Sequence, residues 1–122
     1  METQQQALLR TQVETKVENA RNRGERPMFK GVDWSGADLS GLDLSGAIFD
    51  GATLVGVNLK AARLDDVSAI NANFRDADMT WASALNADFS SADFSDAVMT
   101  GANLANAVMS SANARGANMG FA

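Results

Sequence analysis

Acidic side chains are the only groups in this chain whose type and spacing could carry chemistry. Eleven aspartates fall between residues 33 and 96, several of them close together: Asp65 with Asp66, Asp76 with Asp78, and Asp33, Asp38 and Asp43 five apart. Two carboxylates converging in a concave site could act as a general acid–base pair. Three or more oxygens around one point could hold a divalent cation. Neither reading finds its partners. No ordered cation-ligand spacing is present, so no metal site is expected. The chain has no histidine, hence no Ser-His-Asp triad, no imidazole ligand and no ordinary base for neutral pH. It has no cysteine, hence no disulfide framework, thiol nucleophile or thiolate metal site. Gly51 and Gly56 have the gap of a phosphate-binding loop, but the following Lys-Ser/Thr is missing. No catalytic residue and no cofactor are expected.

The elements that position these aspartates follow a period of five. Taking every fifth residue from Phe29 gives Phe29, Trp34, Leu39, Leu44, Phe49, Leu54, Leu59, Leu64, Ala69, Phe74, Met79, Ala84, Phe89, Phe94, Met99, Leu104, Met109, Ala114 and Met119, all apolar. Two residues before each centre stands Ala, Val or Leu, except for Pro27. Neither a helix of period 3.6 nor a strand of period 2 keeps such positions on one side. A coil that turns a corner every five residues does. The central residue and the small one before it then face an axis, and the other three face water. This is a one-dimensional solenoid, stabilised by contacts between neighbouring coils.

The runs GADLS (36–40), GLDLS (41–45), NADFS (86–90), SADFS (91–95) and GANLA (101–105) resemble the signature of the pentapeptide repeat family. The resemblance implies an all-β solenoid, a right-handed quadrilateral β-helix. Nineteen blocks make about 4.75 coils of 20 residues, with residues 27–122 as the β-helix domain. With that coil, residues 20 apart stack. Phe29, Phe49, Phe89 and Met109 share one core ladder. Trp34, Leu54, Phe74 and Phe94 form the second, Leu39, Leu59, Met79, Met99 and Met119 the third, and Leu44, Leu64 and Leu104 the fourth. The residue before each centre is often Asp or Asn, types that bond nearby backbone in tight turns. Much of the acidity is therefore expected to be turn chemistry.

Residues 2–23 read as a helix with a weak apolar stripe at Leu9, Val13, Val17 and Ala20. Gly24 and then Pro27 end it. Residues 1–26 form a helix and connector whose simplest role is to cap the first coil over Phe29 and Trp34. The alternative is a protruding helix that pairs with another chain.

Charge is divided along the chain. Residues 1–26 carry +1 and residues 27–122 carry −6. The acidic body argues against direct nucleic-acid binding, which needs clustered Lys and Arg. No basic stretch precedes an apolar core at the start, and no 18-residue apolar window exists, so neither a leader nor a membrane span is expected and a cytoplasmic setting is. Apolar residues break the polar rule at the outward positions Val55, Ile70, Trp81, Leu85, Ile48, Val98 and Val108, and Trp81, Leu85, Ile70 and Phe121 make a candidate interaction surface. An exposed tryptophan beside small residues suits a binding hot spot.

The function expected is a non-catalytic scaffold or protein–protein interaction module with an unidentified protein partner. Homodimerisation through the C-terminal coil is implied by the resemblance, since some family members associate there. The family also implies an alternative, a DNA-mimicking, gyrase-binding protein of the fluoroquinolone-resistance type. That alternative needs rows of surface acids. Here the rows are broken, as in Asp38, Asn58, Asp78, Val98 and Asn118.

Overall fold

The computed structural model describes residues 2–122. A single helix, α1 (Glu2–Asn22), precedes a tower of repeating turns. Gly24 adopts φ +68, and Glu25 N–H donates to the Ala20 carbonyl at 2.9 Å. That pairing of a left-handed glycine with a six-to-one bond ends the helix.

From residue 28 on, parallel bridges join residues 20 apart, from Met28–Ile48 to Val98–Asn118. Every fifth residue closes a turn, as where Ala37 N–H donates to the Trp34 carbonyl at 3.0 Å. Four turns therefore complete one 20-residue coil, and each coil hydrogen-bonds to the next. Trp34 N–H donates to the Thr53 carbonyl, and Thr53 N–H donates to the Val32 carbonyl. The β character is thinner than an all-β expectation suggests. Among the described residues there are only isolated bridges and no continuous strand. Two residues in every five are spent in a turn, which leaves one per face at bridging geometry.

The third turn residue has positive φ throughout. Glycine holds this place at 31, 36, 41, 46, 51 and 56. Beyond residue 60 it is mostly Asp, Asn or Ser, with Ala61, Trp81 and Phe121 as the apolar cases. A type II turn needs this left-handed residue, which glycine, asparagine and aspartate adopt at least cost.

The core is a narrow axis. Phe29, Leu39, Leu44, Phe49, Leu54, Leu59, Leu64, Phe74, Met79, Phe89, Phe94 and Met99 are buried, with alanines packed between them. Phe74 and Phe94 stack with centroids 4.9 Å apart, and Phe89 meets Phe94 edge-on at 5.1 Å. The ladders loosen at both ends. Trp34, Leu104 and Met109 are half-buried. Met119, expected inside, is 38% exposed, because no further coil covers it.

Helix α1 lies across the start of the tower. Val13, Val17 and Ala20 are buried, and Lys16 Nζ sits 5.3 Å from the Phe29 ring centre. Its arginines do what a preceding coil would do. Arg10 Nη1 donates to the carbonyls of Asp38 (3.1 Å) and Ser40 (3.0 Å). Arg21 Nη2 donates to those of Asp43 and Ser45, both at 3.3 Å. These carbonyls would otherwise face water as an open edge.

Candidate interaction surface

The outward residues fall on four faces, named here in chain order from the face centred on Phe29. Trp81 occupies the corner between the third and fourth faces, in a column with Gly41, Ala61, Gly101 and Phe121. It is 68% exposed and has φ +60, a conformation that a bulky side chain rarely adopts. Its ring lies over the next coil. A Cβ placed on Gly101 would fall 2.5 Å from Trp81 Cε3. Glycine at 101 thus gives the indole its seat. Phe121 stands at the same corner two coils beyond Trp81, 94% exposed, with φ +61.

Leu85 is half-buried on the fourth face, one corner from Trp81. Ile70 is also half-buried, but it lies on the first face, beyond the next corner. The tower therefore brings Trp81, Leu85 and Phe121 to one side and leaves Ile70 off it.

The aspartates act inside the turns. Asp33 Oδ1 accepts from Ser35 Oγ (2.8 Å) and Ser35 N–H (3.1 Å), and the unit recurs at Asp38, Asp43, Asp78, Asp88 and Asp93. Hydrogen bonds from Ser35, Ser40 and Ser95 hold the carboxyls of Asp33, Asp38 and Asp93 below the usual range. At Asp43 and Asp78 burial pushes upward. The hydrogen bonds of Ser45 and Thr80, with Arg21 and Lys60 nearby, outweigh it, so both are also lowered.

Two blocks have serine where this aspartate belongs, and there the acceptor comes from the coil before. Asp50 Oδ1 accepts from Ser68 Oγ (2.6 Å) and Ile70 N–H (3.1 Å). Asp65 does the same for Ser83 and Leu85, at 2.6 and 3.0 Å. Sequence reasoning missed this substitution, although Asp and Ser at a spacing of 18 announce it. It also missed Arg10 and Arg21 as edge donors. No group of three or more potential metal-ligating acids occurs among the described residues. No described helix is long and apolar enough to cross a membrane.

The family model for pentapeptide repeats matches residues 28–60, 52–90 and 87–120, in eight copies. The chain belongs to the pentapeptide repeat family. Solved structures of the same kind superpose on it. A pentapeptide repeat protein from the cyanobacterium Cyanothece 51142 is 27% identical with a TM-score of 0.74, covering 75% of this chain and 63% of its own. One from the Arabidopsis thaliana thylakoid lumen is 35% identical with a TM-score of 0.72, again covering 75% and 63%. HetL, a pentapeptide repeat protein involved in heterocyst differentiation regulation in Nostoc sp. strain PCC 7120, is 23% identical with a TM-score of 0.59, covering 76% of this chain and 55% of its own. The match thus spans less than two thirds of these proteins' length. No curated protein sequence matches this chain.

Proposed function

We propose that this chain is a non-catalytic interaction module, a right-handed quadrilateral β-helix of about 4.75 coils that acts in the cytoplasm and offers rigid faces to a protein partner. The observation that carries the reading is Trp81. An indole 68% exposed, on a left-handed corner, over a glycine that makes room for it, is costly to display and contributes little to the core. Large exposed aromatics of this kind anchor interfaces. Leu85 flanks it, and Phe121 extends the same corner. Met119, exposed at the last coil, belongs to a second contact in this proposal, a homodimer through the C-terminal coil.

DNA mimicry is less well supported. Asp33, Asp38, Asp43, Asp78, Asp88 and Asp93 are engaged with serine and threonine hydroxyls of their own turns, and the columns of acids are interrupted. The test is affinity capture from source-cell extract with wild type and Trp81→Ala, proteins being identified by mass spectrometry and the oligomeric state by light scattering. The reading expects a partner that wild type retains and the variant loses. Equal capture by both proteins would remove Trp81 as the anchor.

A further inference from the structure

Two arginines of α1 sit on the first coil in the same way. In every later coil the carbonyls on either side of a central residue accept from the coil before. Those of Thr53 and Val55, for example, accept from Trp34 N–H at 2.9 Å and Gly36 N–H at 2.8 Å. The first coil has no coil before it, so the equivalent carbonyls turn toward the end that α1 covers. On the third face Arg10 Nη1 bridges the carbonyls of Asp38 and Ser40, at 3.1 and 3.0 Å, and lies 3.7 Å from Asp38 Oδ1. On the fourth face Arg21 Nη2 bridges those of Asp43 and Ser45 and also reaches Asp43 Oδ1, all at 3.3 Å. Each unit thus sets two backbone carbonyls and a carboxylate around one guanidinium nitrogen.

The second face repeats the unit. Asp33-Trp34-Ser35 stands one block before Asp38-Leu39-Ser40 and two before Asp43-Leu44-Ser45. Asp33 Oδ1 accepts from the N–H and the hydroxyl of Ser35 just as Asp38 and Asp43 do from Ser40 and Ser45. Yet among the described residues nothing donates to the Asp33 or Ser35 carbonyl, and no cation pairs with the Asp33 carboxylate. Beside this unit α1 presents Gln5, Gln6 and Leu9 instead of an arginine. They share an open cleft of about 290 Å³ with Asp33, Trp34 and Ser35.

These groups specify their ligand. Two carbonyls and an ionised carboxylate call for a cation with several N–H donors. A guanidinium bridges such acceptors twice over in this same coil, and it is the cation that stacks on aromatic faces. Trp34, half-buried at the cleft, supplies that face where the two arginine-bearing units have leucine. The net charge of −6 on residues 27–122 favours a cation as well.

We propose that the Asp33–Ser35 unit binds the guanidinium of an arginine from a protein partner, bridging the Asp33 and Ser35 carbonyls beside the Asp33 carboxylate and the Trp34 ring. A single exposed ion pair is weak, so the site serves as one contact within a larger interface. It lies at the helix-capped end of the tower and goes beyond the reading of the Trp81 corner.

The test follows two resonances of the isotope-labelled full-length protein at low ionic strength. One is the Trp34 indole N–H, which is the indole signal that remains in Trp81→Phe, and the other is the Ser35 amide. The probes are end-capped Ala-Arg-Ala, Ala-Lys-Ala and Ala-citrulline-Ala. The proposal expects both resonances to move saturably with the arginine peptide, at a Kd of about 1–10 mM. The lysine peptide should bind more weakly and the uncharged citrulline peptide not at all. Asp33→Asn keeps an oxygen for Ser35 N–H, as Asn73 does for Arg75 N–H at 3.0 Å. It should therefore fold, as its unchanged amide spectrum in later coils would show, and bind about tenfold more weakly. Asp93 stands in the same column three coils on, but its carbonyl already accepts from Phe74 N–H at 2.7 Å. Asp93→Asn should bind as wild type does. Absence of saturable movement overturns the proposal, as do equal binding of the arginine peptide and either other peptide, equal binding by Asp33→Asn, and equal losses in the two variants. If the arginine site falls while capture from extract still depends on Trp81, the interaction module stands. If arginine binds as expected while capture does not depend on Trp81, that anchor falls and the arginine site stands.

Discussion

The indole of Trp81 rests over Gly101, its neighbour one coil further along, on ground that only a residue without Cβ leaves open. Gly101 itself has φ +69. Gly101→Ala therefore meets two penalties: a left-handed alanine, about 1–2 kcal/mol, and displacement of the ring. In Trp81→Ser only the first remains. Urea denaturation of wild type, both single variants and the double variant should show Gly101→Ala to be less destabilising without Trp81. The expected coupling is about 1 kcal/mol, and strict additivity would mean that the ring does not depend on the glycine.

Ala61 occupies the same corner one coil earlier, exposed, with φ +57. Here glycine is the better residue. Ala61→Gly relieves the left-handed strain of about 1–2 kcal/mol but gives back part of it through a freer unfolded chain, about 0.4–1 kcal/mol. A net stabilisation of about 0.5–1 kcal/mol is expected from the shift in urea midpoint.

Arg10 and Arg21 close the first coil by donating to four of its carbonyls. Replacing Arg10 by Met keeps much of its packing and removes the donors. Amide exchange should accelerate in residues 28–46 before it does in later coils, with a loss of about 1–2 kcal/mol. Uniform acceleration along the tower would show that α1 is not a local cap.

Acid should loosen the turns. The carboxyls of Asp33, Asp38, Asp43, Asp78 and Asp93 have lowered pKa values in the folded protein. Each contributes stability that is present above the unfolded value, near 3.9, and is lost as the pH falls through the folded one. Stability followed by denaturation from pH 6 to pH 2 should decline below about pH 5. Asp93→Asn keeps an oxygen for Ser95, as Asn73 does for Arg75 N–H at 3.0 Å. This variant should be folded at pH 7 with a shallower acid decline, and an unchanged acid slope would refute the assignment.

A repeat makes local rules legible. The five-residue period alone identifies which residues face the axis, because each block must place one large and one small side chain inward to close its turn. The same reasoning explains why Asp or Asn precedes the centre, since its oxygen reaches a donor two residues on. Met119 shows where such a rule stops, for it obeys the period and is still exposed for want of a covering coil.

What tertiary structure alone decided are contacts between residues far apart in the chain. That Arg10 would find the carbonyls of Asp38 and Ser40 depends on the direction in which α1 crosses the first coil, and no local pattern encodes it. That Ile70 would lie away from Trp81 while Phe121 shares its corner follows from the 20-residue coil, which turns linear spacing into position around a perimeter. The physical reason is the same in both cases. Turn closure and core burial are settled within five residues, whereas surface neighbours and end caps are set by how whole coils and the helix stack.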